Sequence, residues 1–234
     1  MAMGDKRTAL KEYASVLEAN MPDTEKAIHH NTYAKLLQEN KRLTDARKHL
    51  EKALQFDPGH IESKYDMGSL ANQQKKYTEA AALFGEVVRA LPTSERAWLS
   101  QAASLVLAKK NSEAIEVLAA GSDTLPRSVI LQHQLARMLT LITSDEANAD
   151  MGLILARDAY AKDNSALHAE TFAMALARNG HFKEAADLQA ALVKSAKNNN
   201  AKGAVKDLEA NLKRYQKKQK CCADMSMGTI LGQP

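Results

Sequence analysis

Tyr77-Thr78-Glu79-Ala80, followed by Phe84 and closed by Pro92, decides the fold, because each of these columns recurs at one fixed step. Thr44-Asp45-Ala46 with Leu50 and Pro58 stand 34 residues earlier, and Ser112-Glu113-Ala114 with Leu118 and Pro126 stand 34 residues later. Four independent columns on one period mark an internal repeat. Thr or Ser followed by an acid reads as a helix N-cap with a carboxylate at the positive end of the helix dipole. The Ala two residues on lets this second helix of the unit approach the first closely. The large residue four positions further fills the space between them. The proline closes the unit, because it cannot continue a helix interior.

Composition points the same way. The 234 residues are 45% hydrophobic and 26% charged, which is the composition of a globular chain and not of a disordered one. Only 5% are aromatic, and with 10 Gly and 5 Pro the chain lacks the turns of an all-β protein. No stretch approaches the roughly 18 apolar residues of a membrane span. Met1-Ala2-Met3-Gly4-Asp5-Lys6-Arg7 has no apolar core of a signal peptide. The expected location is the cytoplasm, or the soluble portion of a larger protein. The two cysteines, Cys221 and Cys222, are adjacent and cannot staple the fold.

These columns are those of the tetratricopeptide repeat family, which the chain resembles. Repeats run over 27–60, 61–94 and 95–128. Ala34, Ala46, Ala53 and Pro58 fall on the family's signature positions in the first, and Gly68, Ala80, Phe84 and Pro92 in the second. Trp98, Ala102, Ala114 and Pro126 do so in the third, where Gly121 replaces the usual late alanine. A fourth unit, 129–165, carries Ala136, Gly152, Ala156 and Ala159, with four extra residues in the turn Thr143-Ser144-Asp145-Glu146-Ala147-Asn148. A fifth, 166–198, has Phe182-Lys183-Glu184-Ala185 in the place of Tyr77-Thr78-Glu79-Ala80, and Lys197 near the place of the closing proline.

The ends differ. Residues 1–4 suit an added leader, and 5–26 form a half repeat with Ala9, Tyr13 and Val16 spaced as in a second helix. A native capping helix and a piece cut from a longer protein both account for that start. Residues 199–220 form a basic capping helix with Val205, Leu208, Leu212 and Tyr215 on one face. Leu208 and Leu212 are expected to bury against the fifth repeat. Residues 221–234 have no period and are expected to be disordered. The resemblance implies an all-α, right-handed α-solenoid of antiparallel helix pairs, about twelve helices in all. The long fourth turn, the stretch Asn179-Gly180-His181-Phe182-Lys183-Glu184-Ala185 and the Leu208/Leu212/Tyr215 helix are also similar to the C-terminal repeats of bacterial multi-domain proteins. Some of those carry a membrane-embedded glycosyltransferase-like region ahead of the repeats.

No catalytic constellation stands out. His29 and His30 are neighbours, about 100° apart on a helix, and His49, His60, His168 and His181 are scattered over different repeats. There is no HExxH, no GxSxG and no glycine-rich phosphate loop. The chain is expected to be non-catalytic, with no cofactor, no metal and no small-molecule substrate. What remains is a surface.

In the family the first helix of each pair lines a concave groove, at the second, fifth, ninth and twelfth positions. The resemblance places Asn31, Lys35 and Gln38 there, then Tyr65, Ser69 and Asn72, then Leu99, Ala103 and Val106, then His133, Arg137 and Thr140. The groove reads as polar with one cation, apolar at the third repeat and basic again at the fourth. The family's clamp for a chaperone's terminal carboxylate is broken here at Ser69, Leu99 and Ala103, which excludes that partner class. The expected partner is a peptide or helix with an apolar centre and an acidic flank. The alternative is an accessory module of a larger bacterial protein whose activity lies elsewhere. Between residues 194 and 220 nine Lys/Arg face only Asp207 and Glu209, a net of +7. The groove has no repeated base-reading pair of side chains, so nucleic acid is not the expected partner.

Overall fold

The computed structural model describes residue 13 and residues 20–142 and 145–220. Most of the expected half repeat, the turn residues Thr143 and Ser144, and the tail 221–234 lie outside the described residues. Among those described, eleven α-helices and no strand occur. They are α1 Asp23–Glu39, α2 Leu43–Phe56, α3 Ile61–Gln73, α4 Tyr77–Ala90, α5 Glu95–Leu107, α6 Asn111–Thr124, α7 Val129–Ile142, α8 Glu146–Lys162, α9 Ala166–Arg178, α10 Phe182–Asn198 and α11 Lys202–Gln216. These are the all-α helix pairs that the family resemblance implies.

The columns act as their chemistry requires. Ala46, Ala80 and Ala114 are fully buried, and Leu50, Phe84 and Leu118 are at most 2% exposed. Pro58, Pro92 and Pro126 each stand two residues beyond a helix end, at Phe56, Ala90 and Thr124. Gly152 brings α8 close to α7. A Cβ there would lie 3.2 Å from the Leu139 Cβ and 3.0 Å from Thr140 Oγ1.

One expectation is corrected. Thr44, Thr78 and Ser112 are not N-caps. Their helices begin one residue earlier, and Arg42, Lys76 and Lys110 occupy the caps without a side-chain cap bond. The reason lies in the turns. Lys41, Lys75 and Lys109 take left-handed φ values of 60°, 61° and 62°. At the first two turns, backbone bonds from Arg42 to Leu37 and from Lys76 to Ala71 satisfy the preceding helix end. The chain then enters the next helix at once. The acids keep a role in the first turn, where Asp45 accepts from Arg42 and Glu113 from Lys110.

The chain divides into two compact units, residues 1–108 and 109–234. The first holds α1 to α5. Its core joins Ala34, Leu37, Ala46, Leu50, Met67 and Leu70, with Ala71, Ala80 and Phe84 beside them. The second holds α6 to α11, with Ala136, Leu153, Ala156, Ala173, Leu176, Ala185 and Tyr215 at its centre. Within it α11 packs along α10, and Gln189 Nε2 donates to the Leu208 carbonyl at 3.0 Å. Leu208 and Leu212 are only half-buried, and Tyr215, 1% exposed, is the residue that α11 buries most deeply. A large ring near the end of the helix reaches further into the core than leucines along its flank.

Candidate functional site

In the first unit, α1, α3 and α5 present the residues expected to form a groove. Spacings of four and three residues put each helix's set on one face. The structure links these faces by side-chain bonds from one helix to the next. Asn31 is buried and donates Nδ2 to Asp66 Oδ2 at 2.7 Å. Lys35 Nζ approaches the same oxygen at 3.2 Å, with its own side chain 51% exposed. Gln38 accepts from Gln73 at 3.4 Å.

Further along, Tyr65 Oη and Ser100 Oγ are 2.7 Å apart. Arg96 donates Nε to Tyr65 Oη at 2.8 Å, and its guanidinium stands 4.1 Å from the centre of that ring. This is a cation–π contact reinforced by a hydrogen bond. Asn72 donates to Ser104 Oγ at 2.9 Å, and that hydroxyl donates to the Ser100 carbonyl at 2.7 Å. Ser69, Leu99 and Ala103 are half-buried, and Val106 is fully buried. The first unit therefore offers an open surface at Lys35, Gln38, Tyr65, Ser69, Asn72, Leu99 and Ala103, with Asn31 and Val106 beneath it.

Asp66, Arg96, Ser100 and Ser104 were not among the expected residues. Arg96 was open to discovery, since it occupies the second position of its repeat. Asp66 and Ser100 fall one residue past the fifth position. No spacing rule reveals that their side chains reach back to the first helix of the preceding repeat.

The second unit treats its set differently. His133, Arg137 and Thr140 on α7 are 1%, 2% and 4% exposed. The His133 ring meets the His168 ring edge-on, with centroids 4.5 Å apart. Burial, with the Arg137 charge behind it, pushes the His133 imidazole down to about 3, so it is neutral. Arg137 Nη1 donates to Thr171 Oγ1 at 3.2 Å. Burial holds the neighbouring Glu170 above the ordinary carboxylate range, although the Arg137 charge opposes this. These three groups sit inside the unit and present little surface to a partner.

In the first unit His30 and His49 serve packing. The Nδ1 atoms of His30 and His49 lie 2.9 Å apart, and His30 stacks on Phe56. Among the described residues no group of three or more His, Cys, Asp or Glu is placed to hold a metal ion. No helix among them is long and apolar enough to cross a membrane.

The family model of the tetratricopeptide repeat matches residues 1–61 and 65–124. No curated protein sequence matches the chain. Among solved structures, YrrB, described as a tetratricopeptide repeat protein with an unusual peptide-binding site, is similar at 19% identity and a TM-score of 0.62. The match covers 78% of this chain and 91% of that one. MamA from Desulfovibrio magneticus RS-1, residue 41 to the end, is similar at 19% identity and a TM-score of 0.60, over 84% of this chain and 98% of that one. Yeast Tom70 shares 16% identity at a TM-score of 0.60, over 90% of this chain and 47% of its own. At these identities the likeness is one of fold.

Proposed function

The chain belongs to the tetratricopeptide repeat family, a family of protein-interaction scaffolds, and we propose that it binds a peptide or helix of a partner on the α1, α3 and α5 face of its first unit. Repeats of this family are generally non-catalytic. The observation that carries the reading is the Arg96–Tyr65–Ser100 cluster beside Leu99. Arg96 and Leu99 are one turn apart on α5. An apolar side chain of a partner meets Leu99 and Ala103, while a carboxylate next to it meets Arg96. Lys35 adds a second exposed cation at the α1 end. Side chains already bonded to one another lose little freedom when a partner settles on them.

The Asn179–Ala185 stretch favours a second reading, in which this scaffold is the accessory module of a larger bacterial protein. The binding face is the same in both.

The test is selection from a displayed random-peptide library with the intact chain, followed by titration of the enriched peptides. Enrichment of Asp or Glu next to a large aliphatic residue is expected, with Leu99→Glu abolishing binding. Met151→Glu, an exposed position in the second unit, leaves it unchanged. A folded Leu99→Glu protein with undiminished affinity for those peptides overturns the proposal.

A further inference from the structure

We propose that the outer face of α11 is a contact surface for the phosphate backbone of duplex nucleic acid, separate from the peptide-binding face. The helix has two sides. Its apolar side carries Val205, Leu208 and Leu212, which are half-buried, and Tyr215, which is buried. Lys206, Lys213 and Lys217 are exposed and recur at steps of seven and four, which aligns them in one stripe. Lys218 and Lys220 continue the charge beyond the helix end, and both are exposed.

Two acids, Asp207 and Glu209, share α11 with these lysines. Glu209 Oε1 lies 2.6 Å from Lys197 Nζ of α10. The charge of Asp207 is felt at Glu170 of α9. Lys206, Lys213, Lys217 and Lys218 form no ion pair with any described residue. Lys206 and Lys217 thus stand as exposed cations without an ion pair, and Lys213 between them shares its charge with Glu209 one turn away.

The chemistry of the stripe selects its partner. The apolar side of α11 is used in packing, so the helix has nothing to insert into a lipid surface. Its aromatic residue, Tyr215, is 1% exposed, so it offers no platform for unpaired bases. Lysine lacks the fork that reads base edges in pairs. What remains is a line of point charges, rising about 10 Å from Lys206 to Lys213 and about 6 Å from Lys213 to Lys217. Such a line suits a line of phosphates, without regard to base sequence. With five lysines engaged, counterion release weakens binding roughly 20-fold for each doubling of salt.

The experiment uses the intact chain and fluorescent duplexes of about 30 base pairs in two unrelated sequences, with anisotropy read at roughly 50 and 100 mM salt. A triple variant, Lys206→Glu, Lys213→Glu and Lys217→Glu, and its Lys→Gln counterpart are compared after their thermal melts are matched to the parent. Expected are equal affinity for both duplexes, the roughly 20-fold salt effect, and at least about a tenfold loss in the Glu variant with a smaller loss in the Gln variant. Absence of duplex binding at the lower salt overturns the proposal. So does binding that both variants retain in full, or binding to phosphatidylserine vesicles without binding to duplex.

Discussion

Arg96 on α5 lies over the ring of Tyr65 on α3, 4.1 Å from its centre, and donates Nε to the same residue's hydroxyl at 2.8 Å. The guanidinium is therefore positioned before any partner arrives. Arg96→Ala is expected to weaken an acidic peptide about tenfold and to flatten its salt dependence. Tyr65→Phe keeps the ring beneath the cation and is expected to cost no more than about threefold. Calorimetric titration at two ionic strengths separates the two effects, and equal losses in both variants contradict this assignment.

Gly68 and Phe84 are matched. A Cβ at position 68 would sit 3.0 Å from the Phe84 ring. The neighbouring repeats pair Ala34 with Leu50 and Ala102 with Leu118 in the same columns. Gly68→Ala is expected to destabilise by about 1 kcal/mol, overpacking outweighing the helix-propensity gain of about 1 kcal/mol. Joined with Phe84→Leu it should cost less than the sum of the two changes, by about 1 kcal/mol. Urea denaturation of the four proteins reads this coupling directly.

The left-handed turns give a prediction of opposite sign in different repeats. Lys75 sits at φ 61°, where a side chain costs roughly 1 kcal/mol, and Gly180 sits at φ 83° without that cost. Lys75→Gly should raise stability by up to about 1 kcal/mol, and Gly180→Ala should lower it by a similar amount. Thermal melts check both, and a destabilised Lys75→Gly protein speaks against the turn geometry.

Acid should weaken the fold well above the carboxylate range. Burial, followed by the charges of His49 and Lys52, holds His30 down to about 4. Burial and Arg137 hold His133 down to about 3. In the unfolded chain both imidazoles titrate near 6.5, so between that value and the folded one only the unfolded state takes the proton. Stability is then flat above about pH 6.5 and falls as pH drops below it. Each of these two histidines accounts for about 2 kcal/mol of loss by pH 5. Denaturation at pH 7.5 and pH 5 measures the loss, and His133→Leu should reduce it. A stability that is level across that interval removes the basis for neutral buried imidazoles.

Most of the fold was open to reading from the chain alone. A period of 34 residues, carried by Ala46, Ala80 and Ala114, can be satisfied only if each unit buries the same positions against its neighbours. All three are fully buried. The helix caps at these repeats escaped by two residues. The pattern Thr44-Asp45 resembles a cap, and only backbone conformation shows that Lys41 has already made the turn. The half-buried state of Leu208 and Leu212, against the full burial of Tyr215, likewise depends on how α11 tilts on its support.

The candidate site divides along the same line. Sequence determined the helices, their pairing and the face on which Lys35, Tyr65 and Leu99 stand, because helical periodicity is a local property of the chain. It left undecided what those side chains meet. Asp66 turns back to Asn31 and Lys35, Arg96 folds over Tyr65, and His133 and Arg137 vanish into the second unit. Each of these outcomes depends on the distance and tilt between helices some thirty residues apart in the chain. A long polar side chain is bonded, exposed or buried according to the neighbour within its reach, and only tertiary packing supplies that neighbour.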